Sequence, residues 1–183
     1  PWVTRSLLLS LDNYREMPDV ELDRMIQLTV SDAIRSLREQ LNPAYPAVLM
    51  AHVSLQGATV GHEQSIMLGR DVTVGLDDLH ARGFDYVALG HIHKHQQVGS
   101  VPPAVYAGSP ERIDFGEERE SKGFVSLTIS DDGEGARRTE WEFHELPARP
   151  FKTLTIDARI DDPMVTVRRE LERSARDVVG AIV

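Results

Sequence analysis

Tyr86-Val87-Ala88-Leu89-Gly90-His91-Ile92-His93 is the stretch around which the chain is organised. It begins as an apolar run and ends on Gly-His-Ile-His. A short apolar run bounded by Gly83 and Gly90 reads as a buried strand. In open α/β sheets, ligands bind at the carboxyl ends of the parallel strands, so this spelling puts two imidazoles where such a fold does its chemistry. Gly90 is expected to let the backbone turn sharply. In an extended segment, residues two apart point the same way, which would bring His91 and His93 to one site. Neutral imidazole is a common metal ligand.

A histidine pair alone reads as well as an ordinary surface loop. A second strand with the same ending changes the balance. Ala47-Val48-Leu49-Met50-Ala51-His52 is also an apolar run, opened by Pro46 and closed by a histidine. Two buried strands each delivering imidazole at the carboxyl end form a constellation, and His52, His91 and His93 become candidate metal ligands.

The pieces between these strands fit an α/β rhythm. Pro18-Asp19 opens a helix, with Asp19 as the expected N-cap and Glu21 favourable in its first turn. Leu22, Ile26, Val30, Ala33, Leu37 and Leu41 mark one apolar face, and Asn42-Pro43 ends it. Residues 53–75 read as an irregular, substrate-facing loop, in which His62 is a loop histidine without a metal role. Leu76 to Arg82 reads as a short helix. The two histidine-ended strands are thus joined by a helical crossover, which favours parallel pairing. Ser6 to Leu11 reads as a short strand or packed loop.

After His93 the texture changes. Val105-Tyr106, Gly123 to Ile129, Arg138 to Leu146 and Phe151 to Ile156 read as strands of a mainly antiparallel second sheet, split by turns such as Asp131-Asp132-Gly133. His144 falls on the polar side of a half-buried strand. Pro147 and Pro150 mark a possible boundary. Asp162-Pro163 starts a last helix, with Asp162 capping and Pro163 at its first position. Met164, Val167, Leu171, Ala175 and Val178 form its apolar stripe. Arg169, Arg173 and Arg176 interleave with Glu170, Glu172 and Asp177, so that face reads as solvated. Ala181-Ile182-Val183 looks like the start of a strand, and with Pro1 in place of Met the chain is expected to be a portion of a longer protein.

Bulk composition narrows the function classes. The 183 residues carry a net charge of −9, which argues against gripping nucleic acid by bulk electrostatics. It leaves a metal-dependent phosphoesterase open, because bound cations bring their own positive charge. Cysteine is absent, so no disulfide framework exists, and a cytoplasmic setting fits. No run approaches the length of a membrane span.

Three pieces carry a family resemblance. They are Met50-Ala51-His52-Val53-Ser54-Leu55-Gln56-Gly57-Ala58; Tyr86 to His93 with Lys94; and Tyr106-Ala107-Gly108-Ser109-Pro110-Glu111-Arg112-Ile113-Asp114-Phe115-Gly116-Glu117-Glu118 followed by Lys122-Gly123-Phe124. With these the sequence resembles the calcineurin-like metallophosphoesterases, and within them the SbcD-type subunits of bacterial DNA double-strand-break repair nucleases. The Gly-His-x-His piece marks the superfamily; the third piece is more particular to the nuclease branch.

The resemblance implies an α/β fold, part of a two-sheet α-β-β-α sandwich over residues 1–150, with the beginning of an α+β DNA-binding cap domain at 151–183. It implies two divalent metal ions, usually Mn2+, with His52 and His91 on one and His93 on the other. Two such ions clamp the attacking and departing oxygens of a phosphodiester. It implies DNA as substrate, a coiled-coil ABC-type ATPase (SbcC-like) as partner, and action in repair and recombination. Ser109 and Arg112 are candidate substrate contacts, although a salt bridge from Arg112 to Glu117 or Glu118 is an equal alternative for that side chain.

The family's Asp-x-His, bridging Asp and Asn-His motifs, the last with a His that aids leaving-group protonation, do not occur in this chain, and Asp12-Asn13 and Asp85 do not fit their contexts. The chain is therefore expected to be the C-terminal half of a nuclease domain, catalytically incomplete alone, with an uncovered sheet edge that favours a homodimer. His95 stands where the branch usually has proline and reads as a loop residue. The alternatives are a small-substrate metallophosphoesterase, disfavoured by the 106–124 loop, and a non-catalytic metal-binding or assembly module.

Overall fold

The computed structural model describes residues 17–60, 73–75, 77, 83–131, 133, 136–157, 159 and 162–183. The expected strand near Ser6 and most of the expected Leu76–Arg82 helix, with His62, lie outside these residues. Helix α1 runs Asp19–Glu39, strand β1 Val48–His52, β2 Ser54–Leu55, β3 Thr73–Val74 and β4 Tyr86–Gly90. Then come β5 Gln96–Ser100, β6 Pro103–Tyr106, a 3-10 turn at Phe115–Glu117, the hairpin β7 Gly123–Asp131 and β8 Arg137–Glu145, and helix α2 Pro163–Ser174.

The central sheet has the order β1-β4-β6-β5. β1, β4 and β6 are parallel, and β5 returns antiparallel beside β6. The parallel pairing expected of the two histidine-ended strands is present, in the register Val48↔Tyr86 to His52↔Gly90. β2 and β3 make a short parallel pair inside the stretch read as irregular. The architecture is mixed α/β, with a separate antiparallel β7–β8 ribbon.

The main core is built from Leu49, Val87, Leu89, Ala104 and Tyr106 of the sheet, with Leu55 and Val74 of the short pair and Ile34 of α1. Burial pushes the Tyr86 phenol up to about 12. The Tyr106 hydroxyl donates to the Val53 carbonyl at 2.7 Å and accepts from the Leu55 N–H at 3.0 Å, which ties the chain just past His52 to the middle of the sheet.

Several expectations change. Among the described residues β1 is the edge strand of this sheet rather than a buried one: Val48, Met50 and His52 are exposed while Leu49 is buried. α1 buries Leu22, Ile26 and Ile34, leaving Ala33 and Leu37 exposed, because a stripe at 3.6 residues per turn drifts past a strict four-residue count. Asp19 is the first helical residue; Pro18 occupies the N-cap with no side-chain bond, and its carbonyl accepts from the Glu21 and Leu22 amides. Val105-Tyr106 belongs to the central sheet, parallel to β4, and not to a second antiparallel one. The last helix starts as read, with the Asp162 carboxylate accepting from Val165 N–H at 3.2 Å, but none of its residues is buried. Phe151 to Ile156 is not a strand; only Phe151 bridges, in parallel, to Ile182. No helix among the described residues is long and apolar enough to cross a membrane.

Candidate metal centre at the carboxyl end of the sheet

The register that levels His52 with Gly90 also levels the carboxyl ends of two parallel strands. The His52 and His91 rings meet there, with centroids 5.1 Å apart and planes at 67°. Gly90 lies against the His52 ring. A β-carbon on it would stand 3.0 Å from His52 Nδ1, so the missing side chain makes room for a ring. The turn expected at Gly90 is made one residue later. His91 itself has φ 103°, a left-handed-side conformation uncommon for a residue with a side chain and costing on the order of 1–3 kcal/mol. It is 9% exposed, so the strained backbone holds a mostly buried imidazole. Strain of this kind clusters at functional sites.

His93 is placed differently. Since β4 ends at Gly90 and His91 leaves the extended region, the alternation that was to align His91 with His93 does not operate. His93 instead sets Nδ1 2.9 Å from Glu117 Oε1. Its main-chain carbonyl accepts from Ser109 N–H at 3.0 Å and from Lys122 Nζ at 3.2 Å. The loop after β6 can come this close because residue 108 is glycine: it has φ 81°, and a β-carbon would stand 2.7 Å from the His93 carbonyl oxygen.

Glu117 and Lys122 both bond to His93, a placement that the sequence alone does not reveal. Both are buried, and they pair through Glu117 Oε2 at 2.9 Å. Burial alone would raise the Glu117 carboxyl, but bonds from Lys122, His93 and the Ile113 amide outweigh it and hold it below the usual range. The only signal in the sequence is their place in the Gly-Ser-Pro-Glu-Arg to Lys-Gly-Phe piece; no periodicity predicts a buried carboxylate in a loop.

Ser109 and Arg112 sit in that loop's internal bonding. Ser109 Oγ donates to the Glu111 carbonyl at 2.8 Å. The Arg112 guanidinium donates to the carbonyls of Glu117 at 3.1 Å, Glu120 at 2.7 Å, and Ala148 and Arg149 at 3.3 Å each. Its fork knits residues 117–120 to 148–149 through main-chain carbonyls, rather than through the side-chain salt bridge to Glu117 or Glu118 that is one of its two readings from the sequence. The Glu111 carboxylate accepts from the amides of Arg112 and Arg149, which hold it below its ordinary value.

His95 is a structural anchor. Its ring stacks on Phe143 at 3.9 Å, meets Trp141 edge-on and bonds the Tyr106 carbonyl through Nδ1 at 2.9 Å. Asp85 bonds the Ala47 amide and Arg137, so it too serves the fold.

The described residues thus offer imidazole donors at one sheet edge. Among them no group of three or more His, Asp or Glu is arranged to hold a cation. What fits a divalent cation is the chemistry of the donors: two rings that meet edge-on, and a third with one nitrogen tied to a carboxylate, as ligating histidines usually are.

No family model matches the chain. Two curated relatives, each described as the SbcD component of nuclease SbcCD, from Escherichia coli strain K12 and Escherichia coli O157:H7, are both 37% identical to it over 89 residues. That stretch is 46% of this chain and 21% of either relative, so the match spans about a fifth of their length. The chain is similar, over somewhat less than half its length, to an SbcD-type nuclease component.

Proposed function

We propose that this chain supplies the imidazole side of a divalent-metal phosphodiesterase centre that cuts DNA, as part of an SbcD-like nuclease. The observation that carries the reading is the meeting of the His52 and His91 rings where two adjacent parallel strands end together. The similarity to the SbcD component of nuclease SbcCD supports the substrate class.

In this reading His52 and His91 hold one ion and His93 the other, with Mn2+ the expected metal. Carboxylate ligands come from outside the described residues. Bound there, the ions supply Lewis-acid stabilisation of the phosphodiester oxygens. The chain's own residues do the positioning. Gly90 admits the His52 ring, the turn at His91 sets the second imidazole, and the loop through Glu117 fixes the third. Neutral imidazoles hold a cation without adding negative charge beside a phosphodiester.

Residues 1–150 then belong to the C-terminal half of the nuclease domain, one part of a two-sheet sandwich, and 151–183 begin a DNA-facing cap. An SbcC-like ATPase is the expected partner. The edge and outer face of β1, with Val48 and Met50, are where a homodimer would form.

The test is His91→Ala in the whole protein. Mn2+-dependent cleavage of duplex DNA should fall more than about a hundredfold, since metal stabilisation is worth several kcal/mol. Wild-type cleavage by the variant would remove His91 from the centre. A whole protein that hydrolyses small phosphodiesters but not DNA would replace the nuclease reading.

A further inference from the structure

Glu117 has no accessible surface, and Lys122 beside it is 1% exposed. Burying an ion pair carries a penalty on the order of several kcal/mol per ion unless every charge and lone pair is met. Here the bonds are unusually complete. Glu117 Oε2 accepts from Lys122 Nζ at 2.9 Å and from the Ile113 N–H at 3.0 Å. The ammonium also reaches Glu120 Oε2 at 2.9 Å and the His93 carbonyl at 3.2 Å, which gives a partner to each of its three protons. The other oxygen of the carboxylate, Glu117 Oε1, is turned on a titratable ring, His93 Nδ1 at 2.9 Å. A staple that served the loop alone has no need of that ring.

We propose that Glu117, held by Lys122 and the Ile113 amide, is a positioning residue that fixes His93 as the Nδ1-protonated tautomer, so that Nε2 carries the lone pair a divalent cation takes. A carboxylate can only accept, so Nδ1 of a neutral ring must donate to it. The role toward a cation rests on the function proposed above; the tautomer itself does not. The same loop grips His93 by its main chain through Ser109 N–H and Lys122, so ring and backbone are set by one unit.

Glu117→Gln tests this with almost no change of shape. The Ile113 amide and Lys122 both donate at the Oε2 position, so the glutamine oxygen must stand there. Its NH2 then faces His93 Nδ1, which has to accept, and the ring proton moves to Nε2. Long-range 15N–1H correlation spectra of the whole protein at about pH 8, above the ordinary imidazole range, read the tautomer directly. Wild-type His93 should be protonated at Nδ1 and the variant at Nε2. Titration with Mn2+ alone, followed by line broadening of the imidazole signals, should show affinity at His93 weakened on the order of tenfold or more.

A wild-type ring protonated at Nε2 overturns the inference, and that measurement needs no variant to fold. So does a folded Glu117→Gln chain with an unchanged tautomer. An Nδ1-protonated wild-type ring with no Mn2+ effect at His52, His91 or His93 overturns the cation reading, and the positioning role with it, while leaving the tautomer as found. The two failures are thereby told apart.

Discussion

β1 and β4 look alike as spelling and differ as structure. Each is an apolar run of similar length closed at its carboxyl end by histidine, and the two lie side by side in register. β4 sits between β1 and β6, with Tyr86, Val87 and Leu89 buried. Among the described residues β1 has one strand neighbour in its sheet, and it alternates, with Val48, Met50 and His52 on the exposed side. Composition cannot tell a central strand from an edge strand when the outward residues are themselves apolar. The difference bears on the site. The central strand delivers a mostly buried imidazole on a strained backbone, and the edge strand delivers an exposed one beside it.

The largest expected effect tests that asymmetry. Leu89 is 5% exposed and packed in the core, whereas Met50 is 82% exposed. Leu89→Ala should cost about 2–5 kcal/mol through lost transfer energy and the cavity left behind. Met50→Ala should stay within about 0.5 kcal/mol. Urea denaturation of both variants measures the gap. Comparable losses would mean that Met50 is covered in solution and that β1 is no free edge.

A middle-sized effect comes from the residue that ties the two strands' surroundings together. The Tyr106 hydroxyl serves the Val53 carbonyl and the Leu55 amide, immediately after His52. Tyr106→Phe leaves both main-chain groups to find new partners in a buried place, and the penalty for such orphaned groups is about 1–3 kcal/mol. Amide hydrogen exchange should quicken at Leu55 more than at Val87. Equal protection in variant and wild type would show that the hydroxyl holds nothing.

How legible this was in the sequence depended on how local the cause was. The start of α2 was readable because an Asp-Pro cap acts within one turn. The parallel pairing of β1 with β4 was readable because a crossover leaves little choice. β5 was not, since Gln96-Gln97-Val98-Gly99-Ser100 has no strand composition and is a strand only through its pairing with β6. The helix face slipped by one residue, from Ala33 to Ile34, because only the packed neighbours reveal which side is turned inward. In the site, the histidines were visible as residue types, and their division was not. That His52 meets His91 while His93 turns to Glu117 follows from a backbone turn at His91 and from a loop more than twenty residues downstream.

The smallest expected effect is also the most local test of how the two strands meet. Gly90 pairs with His52, and a β-carbon there would stand 3.0 Å from the His52 ring. Its backbone is not in the left-handed region, so alanine is conformationally acceptable and should recover part of the roughly 0.5–1 kcal/mol that glycine costs inside a strand. Contact with the ring works against that gain. Gly90→Ala should therefore leave stability within about 1 kcal/mol of wild type while moving the His52 ring, seen as shifted His52 imidazole signals beside unchanged His93 signals. If His93 shifted equally, the two halves of the site would be more tightly coupled than their separate anchors imply. If neither moved, the ring would not lie over Gly90, and the levelled ends of β1 and β4 would no longer account for the meeting of His52 with His91.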